Sequence, residues 1–477
     1  MTGAESEAPP ESMPSGDTRS GLGVVVFLLV MAWAASIASY PLTDNSFLTH
    51  LSTGRIILDE MAVPTGDPYT FTARGVDWTV QSWLPSVVYA GAEQAGGVLG
   101  LRLVVLALYL VGAWLLWRLS RPCESLVLRS ALLFATMYVV TDLWGERPYM
   151  VGVIGLGLVW LALDSEIPRW SLVPIFWVWA NSHGSYPLGI ALVVLVLTGR
   201  KLDGREVVSE RSVLQWALIG TAAAVIGPLG PKVLLFPLTA LTKSDVLTEV
   251  VEWQPADYQT TGQRLFLALV MLAVLALVRR PSWALALPTV AFVASAVVAQ
   301  RNIVMALMVL VPVIARGAPS LGALRSDSRT SLFPAYALLA AGSFLAAAVY
   351  SVGQPFGILS AYPVHALAWV EGEGVGETRT ATPDYVGNLL GALDGRDARV
   401  FVDDRVDMLP ESLVRDGITL VRGRPAWARV LDDRRIDLVV WSNAQPLSQL
   451  LSSDVRWRTV FSDTEWTVAC RRAAGCP

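Results

Sequence analysis

Charge is what this chain has least of. Only 16% of its 477 residues are Asp, Glu, Lys or Arg against 53% hydrophobic, and the mean hydropathy is +0.50. That balance excludes a soluble protein of this size. Several apolar stretches reach or approach the ~20 residues that cross a ~30 Å hydrocarbon core. Lysine is scarcest, confined to Lys201, Lys232 and Lys243, so almost all the positive charge is Arg. Together with abundant Ala, Val and Gly, that usage suggests a GC-rich bacterial genome. The net charge of -4 and the lack of a basic tail exclude a nucleic-acid partner. The three cysteines, Cys123, Cys470 and Cys476, match no zinc or redox spacing, and Cys470 and Cys476 could pair if the C-terminus lies outside the cytoplasm. No Walker loop, HExxH motif or Ser-His-Asp order is present, which leaves ATP hydrolysis and zinc proteolysis without support.

What the chain does have is apolar runs. They fall at about 22–42, 99–117, 127–144, 149–164, 171–181, 186–199, 213–230, 263–279, 282–299, 302–316 and 332–351. The fifth and sixth are short and read equally as one hairpin broken around "NSHGSYP". Basic residues set the orientation. With the N-terminus inside, the inner loops hold Arg118, Arg121, Arg129, Arg200, Lys201, Arg279, Arg280 and Arg316 among others, and the outer loops few, including Arg147, Lys232 and Arg301. The expectation is therefore an α-helical polytopic protein of the bacterial plasma membrane, with about eleven spans, a cytoplasmic N-terminus and an extracytoplasmic C-terminus. Residues 1–20, acidic and Pro-rich, read as a disordered cytoplasmic tail. Because the start is not basic, the first span reads as an uncleaved anchor. Residues 21–351 form the membrane domain and 352–477 a small extracytoplasmic α/β domain. In the latter, "ARVFVDD", "IDLVVWS", "WRTVFSD" and "WTVACRR" alternate like strands, while "PDYVGNLLGAL" and "PESLVRDGITLV" start like helices.

The outer loop 43–98 carries the most unusual polar segment. Directly off the first span come Asp44, Asn45 and His50 in "PLTDNSFLTH". Phe47, Leu48, Leu51 and Leu58 then share one helical face, predicting a helix along the outer interface with its apolar stripe down. "VPTGDPYTFTARGVDWTVQSW" follows as turn and loop, and Ser82 caps a second interfacial helix. An acidic residue at the outer end of the first span, followed by a long loop with two interfacial helices, resembles the glycosyltransferase-C superfamily. Those are polytopic enzymes that use polyprenyl-phosphate sugars. The segments "TDNSFLTHLSTGRIILDEMAVPTGDPYTFT", "WANSHGSYPLG", "EWQP", "QRNIVMALMVLVP" and "VFVDDRVDML" resemble an actinobacterial-type branch of that group.

The resemblance implies transfer of a sugar from a polyprenyl-phosphate donor to an extracytoplasmic glycan, lipid or protein acceptor. Such transfer needs a base for the acceptor hydroxyl. Asp44 matches the superfamily's catalytic position, and Asp67 would be the second acidic residue, orienting the acceptor or holding a divalent cation (Mg or Mn). A carboxylate at the water-facing rim also avoids the cost of charge at mid-bilayer. The residues themselves leave another reading open: Asp44 as a helix N-cap, Asp67 as ordinary Thr-Gly-Asp-Pro turn chemistry. Arg147 and Arg301 sit where topology disfavours Arg, and either could grip a phosphate or merely pair with a neighbour such as Glu146. Asn45, His50, His183 and Glu252 complete the candidate substrate-binding set. His183, at the break in "WANSHGSY", could bind phosphate or a metal or satisfy a carbonyl, and His50 could lie solvated. Trp253 reads as an interfacial anchor; Asp403, Asp404 and Asp407, after a strand in "VDDRVDM", could touch a saccharide or cation but read better as a solvated loop. Against the enzyme stands a lipid-binding or translocating protein, or a degenerate scaffold. Polar groups at the rim, with no clear repeat, argue for transfer.

Overall fold

The computed structural model describes residues 17–42, 44–208, 210–242, 249, 251–319, 333–355, 357, 361–375 and 378–474. Most of the expected tail lies outside them, as does Cys476 of the considered Cys470–Cys476 pair; Cys123 is free and buried. The molecule is mostly helical, beginning with α1 (Asp17–Ile37). Four helices, Trp83–Leu119, Thr261–Arg279, Gln300–Gly317 and Phe333–Val352, are long and apolar enough to cross a membrane. Shorter apolar helices, such as Leu126–Val140 and Tyr149–Leu163, pack beside them.

Each of the expected apolar segments contains helix, with two departures. The segment 213–230 is helical only over Arg211–Ala223, because Gly227, Pro228, Gly230 and Pro231 follow and cannot continue the backbone hydrogen bonding. The expected second interfacial helix and second span are not separate elements. One helix, α3 (Trp83–Leu119), carries both and bends at Gly97, whose φ of 56° and ψ of −139° leave the helical region. Ser82 precedes α3 without capping it through its side chain; instead its carbonyl accepts from the Ser86 hydroxyl at 2.9 Å.

The helix Ile303–Gly317 forms the centre. It is apolar all round and buried on nearly every side, as a helix enclosed by others must be. Its two ends face different chemistry. At one, the Tyr149 hydroxyl donates to the Arg301 carbonyl at 2.7 Å; at the other, Arg316 pairs with Asp164. The intervening helix Tyr149–Leu163 spans ~22 Å at 1.5 Å per residue.

The segment expected as the first outer loop is more enclosed than an interfacial helix would be. Helix α2 (Asn45–Glu60) buries Phe47, Leu48 and Leu51, and Leu58 packs partly. One side lies on α3: Phe47 meets the Tyr89 ring edge-on at 5.0 Å. The other side meets the C-terminal domain, where Leu48 packs with Leu389 and Ala392 and the Ser52 hydroxyl donates to the Gly391 carbonyl at 2.6 Å.

That domain holds a four-stranded sheet in the order β1-β2-β4-β3: β1 (Thr380–Ala381), β2 (Leu438–Ser442), β3 (Trp457–Ser462) and β4 (Trp466–Arg471). β1 runs parallel to β2, and the other pairings are antiparallel. "ARVFVDD" does not join it. Val400, Phe401 and Val402 are all buried, and Val400 exchanges backbone bonds with Tyr69 and Phe71 of the outer loop. The segment is a seam between loop and domain.

Candidate functional site

The rim cluster starts from Asp44. The carboxylate N-caps α2, accepting from the Ser46 N–H at 3.0 Å, and its other oxygen pairs with Arg147. The cap and the pairing thus coexist. The Asp44 N–H donates to Glu146 at 2.9 Å. Arg147 reaches it from the turn between the helices Leu126–Val140 and Tyr149–Leu163, with Tyr89 donating to the Glu146 carbonyl at 2.8 Å. Gly145 permits the approach: a Cβ there would lie 3.3 Å from the carboxylate oxygen. Arg147 also pairs with Glu252, from the turn Val251–Trp253. Arg147 and Glu252 keep 31% and 37% of their side chains accessible, and Asp44 11%, so the cluster borders open space.

Arg301 lies on the same rim, its guanidinium carbon 4.7 Å from the centre of the Trp253 ring and 5.3 Å from that of Tyr149. Among the described residues its close partners are these two rings, and no carboxylate forms an ion pair with it. Trp253 therefore carries a cation rather than acting only as an anchor. His183 sits edge-on to Tyr149 at 5.3 Å. Its Nδ1 accepts from the Ser185 N–H at 3.2 Å and faces the Ser185 hydroxyl at 2.9 Å, and that hydroxyl in turn accepts from the Trp179 indole at 3.0 Å. An Nδ1 that accepts leaves the proton on Nε2. Burial first, then Arg301, His50 and Arg147, holds its pKa down at about 3, so His183 offers a neutral N–H rather than an imidazolium. His50 is half-buried rather than solvated, with Nδ1 3.4 Å from the Ser86 hydroxyl; burial and Arg147 lower it to about 3 as well. Asn45 is the half-buried first residue of α2. Asp44, His50, Arg147, His183, Glu252 and Arg301 thus form one neighbourhood.

Asp67 does a different job. It is 3% exposed, accepting from the Tyr69 and Thr70 N–H groups at 3.1 and 3.2 Å, from the Thr70 hydroxyl, and from Arg405 at 2.5 Å. No oxygen of it faces open space, so it does not fit the acceptor-orienting or cation-holding role. Among the described residues no group of three His, Cys, Asp or Glu could hold a metal ion. The "VDDR" loop is not solvated either. Asp403 accepts from Arg405 at 2.6 and 2.9 Å, while Asp404 accepts from the Ser46 hydroxyl at the start of α2.

Three groups at the rim stand outside the candidate site set drawn from the residues: Glu146, Asp404 and Tyr362. Burial, then the Asp44 charge, lifts Glu146 to about 7. Burial, then Asp403 and Asp384, lifts Asp404 to about 7 against the pull of Ser46 and Arg147. Asp44 is also raised, by burial, with Arg147 opposing. Tyr362 stands near all three, pushed to about 12 by burial and by Asp44, Asp404 and Glu146. Each acid had one visible signal, Glu146 its place beside Arg147 and Asp404 its place in the acidic run "VDDRVDM", but nothing local reports the approach of Asp404 to Ser46. A cavity of about 210 Å³ opens behind Glu146, lined by Tyr40, Leu42, Tyr109, Asp142 and Trp144 among others. A scan against protein-family models and a search of curated proteins found no match to the chain.

Proposed function

We propose that the chain is an inverting membrane glycosyltransferase of glycosyltransferase-C type. It moves a sugar from a polyprenyl-phosphate donor to an extracytoplasmic glycan, lipid or protein acceptor, through about eleven spans with the N-terminus in the cytoplasm. The observation that carries the reading is one: Asp44, Arg147 and Arg301, the last with no carboxylate partner among the described residues, gather on a single accessible rim.

In this reading the acceptor oxygen forms its bond to the anomeric carbon as the C–O bond to the lipid phosphate breaks. The acceptor proton passes to Asp44, and the electron pair leaves with the phosphate. Arg301, stacked on Trp253 and Tyr149, receives the phosphate first; a guanidinium fits that geometry in bidentate fashion. Arg147 then exchanges Asp44 for the phosphate. A carboxylate losing its cation becomes a stronger base, so donor binding switches the base on. The neutral His183 N–H and Glu252 are hydrogen-bonding groups for the sugar or acceptor.

The test is envelope composition in a strain lacking the chain. Complementation with the unaltered chain restores the missing glycan or glycolipid, and Asp44→Ala at equal abundance does not. Restoration by the alanine variant would leave the scaffold or lipid-binding reading standing instead.

A further inference from the structure

Ser46 stands between two carboxyl groups that come from opposite ends of the chain. Its N–H donates to Asp44 at 3.0 Å and its hydroxyl donates to Asp404 of the C-terminal domain, 358 positions away. Asp404 is fixed from behind. Its N–H donates to Asn388 Oδ1 at 3.3 Å, and its neighbour Arg405 is locked by Asp403 and Asp67 and stacked at 4.4 Å on Trp78 and 4.8 Å on Tyr69. Asn388 is 2% exposed, and its Nδ2 has no partner among the described residues.

The hydroxyl of a serine two residues past an N-cap has a choice. It can turn to the capping carboxylate or away from it, since its χ1 has three staggered wells. A second hydrogen bond to Asp44 would stabilise the ionised form and weaken it as a base. We infer that Asp404 is a positioning residue of the transfer site: it draws the Ser46 hydroxyl off Asp44, leaving that carboxylate a lone pair for the acceptor proton. The C-terminal domain is then part of the base's machinery. This rests on the role proposed for Asp44.

The experiment measures the rate at which cells of the deletion strain, pulsed with ¹⁴C-glucose, label the glycan restored by the unaltered chain. Asp404→Ala lowers that rate at least tenfold at equal chain abundance. Asp404→Asn, whose amide oxygen still accepts from Ser46, stays within about threefold of the unaltered chain. The double variant Asp404→Ala/Ser46→Ala recovers most of the rate, because no hydroxyl remains to occupy Asp44. A contact that only held the domain in place would not be rescued by removing its partner. Where the alanine chain does not accumulate, Asp404→Leu, close in shape and without an acceptor, replaces it. An unaltered rate in Asp404→Ala or Asp404→Leu overturns the inference, as does a loss that Ser46→Ala fails to rescue. An unaltered glycan with Asp44→Ala overturns the underlying reading instead.

Discussion

Arg405 and Arg147 each sit between two carboxylates, one in the joint under the C-terminal domain and the other at the rim. Arg405, Asp67 and Asp403 are 5%, 0% and 3% accessible in their side chains. Arg147, Asp44 and Glu252 are 31%, 11% and 37% accessible. The charges are the same, but the joint has no room for a visitor and the rim does. A buried, saturated set of charges stabilises one arrangement of loop and domain. An accessible set can exchange a partner for a ligand.

The comparison breaks hardest at the joint. Arg405→Ala strands Asp67 and Asp403 without their cation, and breaking a buried pair from one side costs roughly 3–5 kcal/mol. A marked drop in the thermal midpoint of the purified protein, or failure to accumulate, is the expected outcome. Arg147→Ala inverts the pattern. Its pairs are partly solvated and contribute about 1 kcal/mol or less, so the midpoint moves little, while retention of decaprenyl phosphate falls at least tenfold. Arg301→Lys comes next: charge stays but stacking and bidentate contact go, so decaprenyl phosphate binds more weakly than to the unaltered chain and better than to Arg301→Ala.

The smallest effect is on pH. Glu146 and Asp404 hold their protons up to about 7 in the fold, above the values of free carboxyl groups. Stability from such a raised acid is complete below its unfolded pKa and is lost as pH rises through 7. The thermal midpoint should therefore fall between pH 5 and 8, and Glu146→Gln should shrink that fall by roughly 2–4 °C. An equal fall in the variant removes Glu146 from the account.

Much of the membrane part was legible because hydropathy and arginine placement report on local segments. The helical stretches, and Arg147 and Arg301 standing just beyond α-helix ends, follow from residues close in sequence. Asp44 and Asp67 looked alike in the chain, each an Asp in capping or turn context. Their difference lies in contacts 338 and 103 positions away, to Arg405 and Arg147, which no local pattern encodes. For the same reason "ARVFVDD" read as a strand: its apolar residues suit a sheet as well as they suit the seam they fill. Asp404 read as solvated because nothing in "VDDR" announces that Asp67 clamps the next residue.

The most direct measurement is a cryo-EM map of the protein with decaprenyl phosphate. The account predicts phosphate density in contact with both Arg147 and Arg301, with Arg147 parted from Asp44 and the Asp44 carboxylate facing the open rim. Phosphate bound elsewhere, with the Arg147–Asp44 pair intact, would contradict it.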